Sequence, residues 1–257
     1  MNGEKTILIC EDSMEGIFSA VYDGWFAGSG GGQVEVCTHE PENLELFCTF
    51  RQIETDREKA GKVMRTVLMK LGALVYEDIC YAAAAADPNR GTAIYYVLRR
   101  ALGHGRRDAR VMEALADPYV SAVAKLRTKV WHELHRYFGF VRFKEIGGKL
   151  LFSRICPEND ILTMLGPHFG NRYPNEDWLI YDEGRGKALL HPKGGSCTLR
   201  SGITLTENDD EKPGTLDAYE NLWRAFCQSI TIEERANPSL RQQLLPLKFR
   251  GNMTEFW

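Results

Sequence analysis

Between Ala124 and Glu145 the chain reads AKLRTKVWHELHRYFGFVRFKE, and its hydrophobic period changes part-way along. Val123, Leu126, Val130, Leu134 and Phe138 recur at spacings of three or four, which predicts a helix with one apolar face. After Gly139 the period drops to two: Phe140, Arg142 and Lys144 alternate with Val141 and Phe143, ahead of Ile146, which predicts a strand. A fold that accommodates this joint must hold a helix and the strand directly after it. The joint is also charged. Lys125 to Lys149 carries seven Lys or Arg against Glu133 and Glu145, a local charge of +5 in a chain of net charge −3. Such asymmetry marks either an anionic partner or a solvated face.

The same contrast organises the rest of the chain. Residues 1 to 58 hold twelve acids against Lys5, Arg51 and Arg57, a net of −9, and read as an acidic β-α region separate from residues 59 to 257. Thr6 to Cys10 predicts a buried strand. Asp12 or Ser13 then caps a helix from Met14 to about Phe26, and Val34 to Cys37 and Leu46 to Gln52 follow as strands. Asp56 to Ala86 predicts one long helix ended by Asp87-Pro88, Thr92 to Leu102 a second, and Arg107 to Leu115 a third. Five arginines between Arg99 and Arg110 start the basic character early. Beyond the joint, 140 to 146 pairs with 149 to 155 across Gly147-Gly148. Asp160 to His168 forms a short helix, and 178 to 181 pairs with 188 to 191 as a second hairpin. Residues 205 to 214 read as a polar loop and Leu216 to Ile230 as a further helix. The predicted fold class is α+β: a small N-terminal β-α unit, a helical middle, and C-terminal antiparallel hairpins packed on helices.

Several chemistries are disfavoured. No apolar run approaches the ~18 residues that span a bilayer, so no membrane partner is expected, and the acidic opening MNGEKTILICEDS fits neither a secretory signal nor a transit peptide. The expected compartment is the cytosol. Seven scattered cysteines without a C-x-x-C pair argue for reduced thiols, with no metal or cofactor held by this chain. GSGGGQ, residues 28 to 33, follows a helix and lacks the G-K-[ST] ending of a phosphate loop. His132-Glu133-Leu134-His135 is one residue short of H-E-x-x-H.

Two clusters remain as candidates for function. Arg127, Lys129, His132, Arg136, Arg142, Lys144, Arg172, Arg235, Lys248 and Arg250 are interleaved with Tyr137, Phe138, Phe140 and Phe143, a mixture suited to phosphate contacts and base stacking. His135 and His168, with Asp160, Asp177 and Asp182 as carboxylates, supply groups for acid–base work at a glycosidic bond; Asp12 is another acid next to a strand end.

The phrases LHRYFGFVRFKE (134 to 145), PENDILTMLGPHFGNRYPNEDWLIYDEGRGKALLH (157 to 191) and LWRAFCQSITIEERANPSLRQQLLPLKFRGNMTEF (222 to 256) resemble a bacterial family linked to DNA metabolism or DNA repair. Its C-terminal domain, of unknown function, is similar to a module fused to uracil-DNA-glycosylase-like proteins. EDSMEGIFSAVYDGW resembles the family's opening, with Glu11-Asp12-Ser13 where Tyr-Asp-Gly is usual. The resemblance implies a cytosolic bacterial protein that accompanies a radical-SAM enzyme, with no established reaction. It carries over His135, Arg136, Gly139, Arg142, Phe143, Glu145, Pro167, His168, Phe169, Arg172, Arg235, Asn237, Pro238 and Pro246 as motif positions; Thr163-Met164 and Leu240-Arg241 depart from the family text. Three expectations follow: a factor that binds single-stranded or damaged duplex DNA beside a radical-SAM partner, a glycosylase-like DNA hydrolase, or a non-catalytic adaptor.

Overall fold

The computed structural model describes residues 5–27, 32–40, 47–146, 149–203, 225, 237–251 and 253. The chain divides into two compact units, Met1–Glu133 with Glu158–Asp160, and Leu134–Pro157 with Ile161–Trp257. The boundary read from charge at residue 58 falls inside the first unit.

The first unit is built on a three-stranded parallel sheet, β1 (Lys5–Ile9), β2 (Val34–Cys37) and β3 (Cys48–Gln52), in the order β2-β1-β3. Ile7 and Leu8 of the central strand are fully buried, as a parallel sheet covered by helices requires. Helix α1 (Met14–Ala27) links β1 to β2; of the two cap residues the sequence offered, Ser13 is the one used, its Oγ accepting from Gly16 N at 3.0 Å. Helix α4 (Arg90–Leu102) packs on β2 so closely that a Cβ on Gly91 would lie 2.7 Å from Val36 Cγ1 and 2.8 Å from Val36 O. Thr92 and Tyr96, one turn apart on α4, bond the outer edge of β2: Val36 N donates to Thr92 Oγ1 at 2.9 Å and Val34 N to Tyr96 Oη at 3.2 Å. A helix thereby satisfies a strand edge that would otherwise recruit another chain.

The long helix expected over Asp56 to Ala86 is two helices, α2 (Arg57–Leu71) and α3 (Ala73–Ala84), because Gly72 adopts φ 92, a left-handed conformation that ends a helix. The third expected helix, 107 to 115, is reduced to a single 3-10 turn at Val111–Glu113.

Helix α5 (Pro118–Phe140) corrects the reading of the joint. Its buried stripe is Val120, Val123, Leu126, Val130, Leu134, Tyr137 and Val141, so the 3.6 period runs straight through Gly139 and Phe140 is helical. The strand begins only at β4 (Lys144–Ile146). An apparent alternation over four residues was the tail of the helical stripe, continued by Val141 N donating to Tyr137 O at 3.1 Å.

The second unit carries a five-stranded sheet in the order β4-β5-β6-β7-β8, with β5 (Leu150–Ile155), β6 (Asp177–Asp182), β7 (Lys187–His191) and β8 (Thr198–Ser201). Both expected hairpins form, β4 with β5 and β6 with β7, but they join through a parallel β5–β6 pair, with α6 (Leu162–Arg172) as the crossover that parallel strands require. Strand β8 has no counterpart among the expected strands. Pro167 sits inside α6 without ending it. Two short helices, α7 (Pro238–Leu244) and α8 (Leu247–Arg250), follow. The expected helix over 216 to 230, the loop over 205 to 214 and the Gly147-Gly148 turn lie outside the described residues. The overall class is α+β, as the sequence indicates. Among the described residues no helix is long and apolar enough to cross a membrane.

Candidate functional site

Within the second unit the three phrases that carry the family resemblance meet through their aromatic rings. Phe138 of α5 stacks on His168 of α6, centroids 4.2 Å apart and planes at 17°. Phe143 meets Phe169 and Tyr173 edge-on at 5.4 and 5.5 Å. Tyr137 and Phe140 contact Phe249 of α8 at 5.1 and 5.2 Å. Aromatic pairs in these geometries contribute about 0.5–1.5 kcal/mol each beyond area burial. On the face of the sheet beneath α6, Trp178 stacks on His191 at 4.9 Å and 6°.

His168 is half-buried, and its Nε2 is buried without a hydrogen-bond partner. Burial, and secondarily the Arg172 guanidinium, push its pKa down and favour the neutral ring. His135 and Arg136 are exposed in the last turns of α5, with the His135 ring 6.2 Å from Phe138. Arg172 is exposed at the end of α6; its Nε donates to Tyr173 Oη at 3.2 Å, and its guanidinium lies 5.6 Å from that ring's centroid.

The other basic residues named from sequence are differently engaged. Arg142 donates from Nη1 to Gly139 O at 2.7 Å, in the last turn of α5, and to Val141 O at 3.3 Å just past its end. Arg250 donates from Nε and Nη2 to Leu245 O at 3.2 and 3.1 Å. Lys144 is exposed on β4. Arg127, Lys129 and His132 belong to the first unit. There Arg127 pairs with Asp78 at 3.1 Å, Lys129 pairs with Glu158, and His132 is exposed beside the Trp131 ring. Burial raises the Asp78 carboxyl, and Arg127 offsets part of that shift. Arg235 and the side chain of Lys248 lie outside the described residues.

The carboxylates are likewise distributed. Asp160 belongs to the first unit, its amide donating to Ala84 O at 2.9 Å. Asp177 accepts from Lys193 N at 2.7 Å, the bond of a turn cap, and fully buried Asp182 accepts from Arg185 N and Nη1 at 3.3 and 3.2 Å. Asp12 pairs with buried Arg90, which also donates to Ala83 O and Asp87 O at 3.1 and 2.9 Å.

Glu133 has a role that sequence reasoning missed. It is buried and accepts from Glu158 N, Asn159 N and Asn159 Nδ2 at 3.0, 2.9 and 2.6 Å. In the His132-Glu133-Leu134-His135 run it therefore anchors the backbone of 158 and 159, while both histidines face solvent. Among the described residues no group of three or more His, Cys, Asp or Glu is placed to hold a metal ion.

The arrangement defines a class: an α+β protein whose second unit gathers histidine, arginine and aromatic side chains from separated segments. Residues 88–255, well over half of the chain, match the profile of a family described as a domain of unknown function, DUF4130, and the chain belongs to that family. No curated protein matches the chain.

Proposed function

We propose that this chain is a nucleic-acid-binding factor of DNA repair or DNA modification. In this reading DNA is held by the second unit around the Phe138–His168 pair, and a radical-SAM enzyme is the partner that supplies the difficult chemistry. The observation that carries it is the stack itself. It joins two segments thirty residues apart, with exposed His135 near the Phe138 ring, exposed Arg172 over the Tyr173 ring, and exposed Arg136 next to His135 in the same helical turn. Exposed guanidinium groups suit phosphate oxygens, and aromatic and imidazole faces suit unstacked bases. Support for a repair context and for the radical-SAM partner comes from the family resemblance of the three phrases. Cytosolic location fits the same reading.

The test is fluorescence anisotropy with labelled single-stranded and duplex oligonucleotides across a salt series, with and without the partner enzyme. Arg136→Ala and Arg172→Ala are the informative variants, since Arg142 and Arg250 cap backbone carbonyls and their loss would perturb folding. Each is expected to weaken binding several-fold and to flatten the log–log salt slope by about 0.7–0.9 for every phosphate no longer neutralised. Absence of binding at low salt with the partner present refutes the proposal.

A further inference from the structure

In the first unit, the last turn of α4, the 3-10 turn Gly103–Gly105 and the start of α5 enclose an open cavity of about 400 Å³, a size typical of small-ligand sites. We propose that this cavity binds a nucleotide, with its phosphate on Arg100 and Arg106 and its base on the ring of Tyr119.

Three observations converge on that chemistry. The first is charge. Arg99, Arg100 and Arg106 line the cavity against one carboxylate, Asp117, a net formal charge of +2 from these four side chains, with Arg99 Nη1 donating to Trp25 O at 2.8 Å. Asp117 is itself committed: one oxygen accepts from Tyr119 N and Val120 N at 2.8 and 3.2 Å, capping α5, and the other holds Arg100 Nη1 at 2.6 Å. That pairing orients a guanidinium beside the cavity, and forked guanidinium donors match phosphate oxygens.

The second is the aromatic wall. Tyr96 and Tyr119 stack at 4.4 Å and 18°, and Tyr96 is fixed from behind because its hydroxyl accepts from Val34 N. Tyr119 is 37% exposed, so a ring is held rigidly with surface left to stack on. The third is the backbone of the rim. His104 adopts φ 55, a left-handed conformation that a non-glycine residue rarely takes, followed by Gly105 at φ 75. Such outliers concentrate at binding sites. A bare anion would use the arginines and leave the tyrosine pair unexplained; a nucleotide uses both.

The site is separate from the second-unit surface and stands or falls without it. The test is isothermal titration of the full chain with each of the four 2′-deoxynucleoside 5′-monophosphates, with the matching nucleosides, with inorganic phosphate, and with a 5′-phosphorylated dinucleotide. At least one monophosphate is expected to saturate a single site, with its nucleoside and inorganic phosphate each at least tenfold weaker. Arg106→Ala is expected to weaken it at least tenfold with an unchanged melting temperature. Tyr119→Ala is expected to weaken it at least tenfold and also to lower the melting temperature, because the Tyr96 stack is lost, and Tyr119→Phe, which keeps the stack, to stay within threefold. Equal or tighter binding of the dinucleotide would identify a strand end as the source, and weaker binding a free nucleotide; both support the assignment. Arg136→Ala and Arg172→Ala are expected to leave monophosphate affinity unchanged, whatever they do to oligonucleotide binding. The inference is overturned if no monophosphate binds saturably, if inorganic phosphate binds as tightly as the best nucleotide, or if Arg106→Ala and Tyr119→Ala both bind normally.

Discussion

Replacing Glu133 by glutamine removes one formal charge and one acceptor while changing almost no volume. The wild-type carboxylate receives three N–H donors, from Glu158 N at 3.0 Å and from Asn159 N and Nδ2 at 2.9 and 2.6 Å. A glutamine keeps one oxygen, so its amide NH2 must face at least one of these donors, and the bond broken there was charge-assisted. Hydrogen bonds to charged groups contribute about 1.5–3 kcal/mol, and a buried donor left unsatisfied costs about 1–3 kcal/mol. With partial relaxation the expected destabilisation is about 3 kcal/mol, or a drop of roughly 6–12 °C in melting temperature for a domain of this size.

The damage should be local first. Asn159 Oδ1 accepts Ala86 N at 2.9 Å, and Asp160 N donates to Ala84 O at 2.9 Å, so the end of α3 depends on the same anchored segment. Differential scanning calorimetry measures the melting shift, and amide hydrogen exchange at Ala86, Asn159 and Asp160 measures the local release. A variant that melts within about 2 °C of the parent, with exchange at those amides unchanged, would refute the anchoring role.

Gly91→Ala should destabilise by about 1–3 kcal/mol in urea unfolding, because its Cβ would lie 2.7 Å from Val36 Cγ1 and 2.8 Å from Val36 O. An unchanged midpoint would mean that α4 can retreat from β2 without loss. The His168 ring should titrate below 6.5 by NMR, since burial and then Arg172 lower its pKa. Its contribution to stability is accordingly complete above pH 6.5 and is lost as pH falls through the depressed folded value; a measured pKa at or above 6.5 contradicts this. Cys10 is buried and burial pushes its thiol up to about 12, so alkylation at pH 8 followed by peptide mass mapping should modify exposed Cys156 far faster than Cys10. Comparable rates would show that the loop after β1 opens readily.

Much of the fold was readable because its signals are local. Strands at the positions of β1, β2, β6 and β7, the cap at Ser13 and the basic helix α5 follow from apolar period and capping chemistry over a few residues. The errors fell where two local rules compete. Gly72 divides the 57–84 stretch because a left-handed φ outweighs an otherwise continuous apolar stripe. Gly139 does not end α5 because Tyr137 and Val141 still land on the buried face. The candidate site was only partly legible. His135, Arg136, His168 and Arg172 were named as residue types in a promising context. That Phe138 would stack on His168, or that Tyr96 and Tyr119 would pair across 23 positions, leaves no mark in periodicity.

By itself, then, the sequence determined the α+β class, the position of most elements, and where positive charge is concentrated, since each depends on neighbours within a turn or two along the chain. Only the tertiary structure decided what each charge does. Arg127 meets a carboxylate 49 positions away, Arg142 turns back to cap its own helix, and Glu133 becomes the acceptor for a distant backbone segment. The physical reason is that a charged side chain takes its role from whichever donors and acceptors folding brings within about 3 Å, and that distance is not written in sequence order.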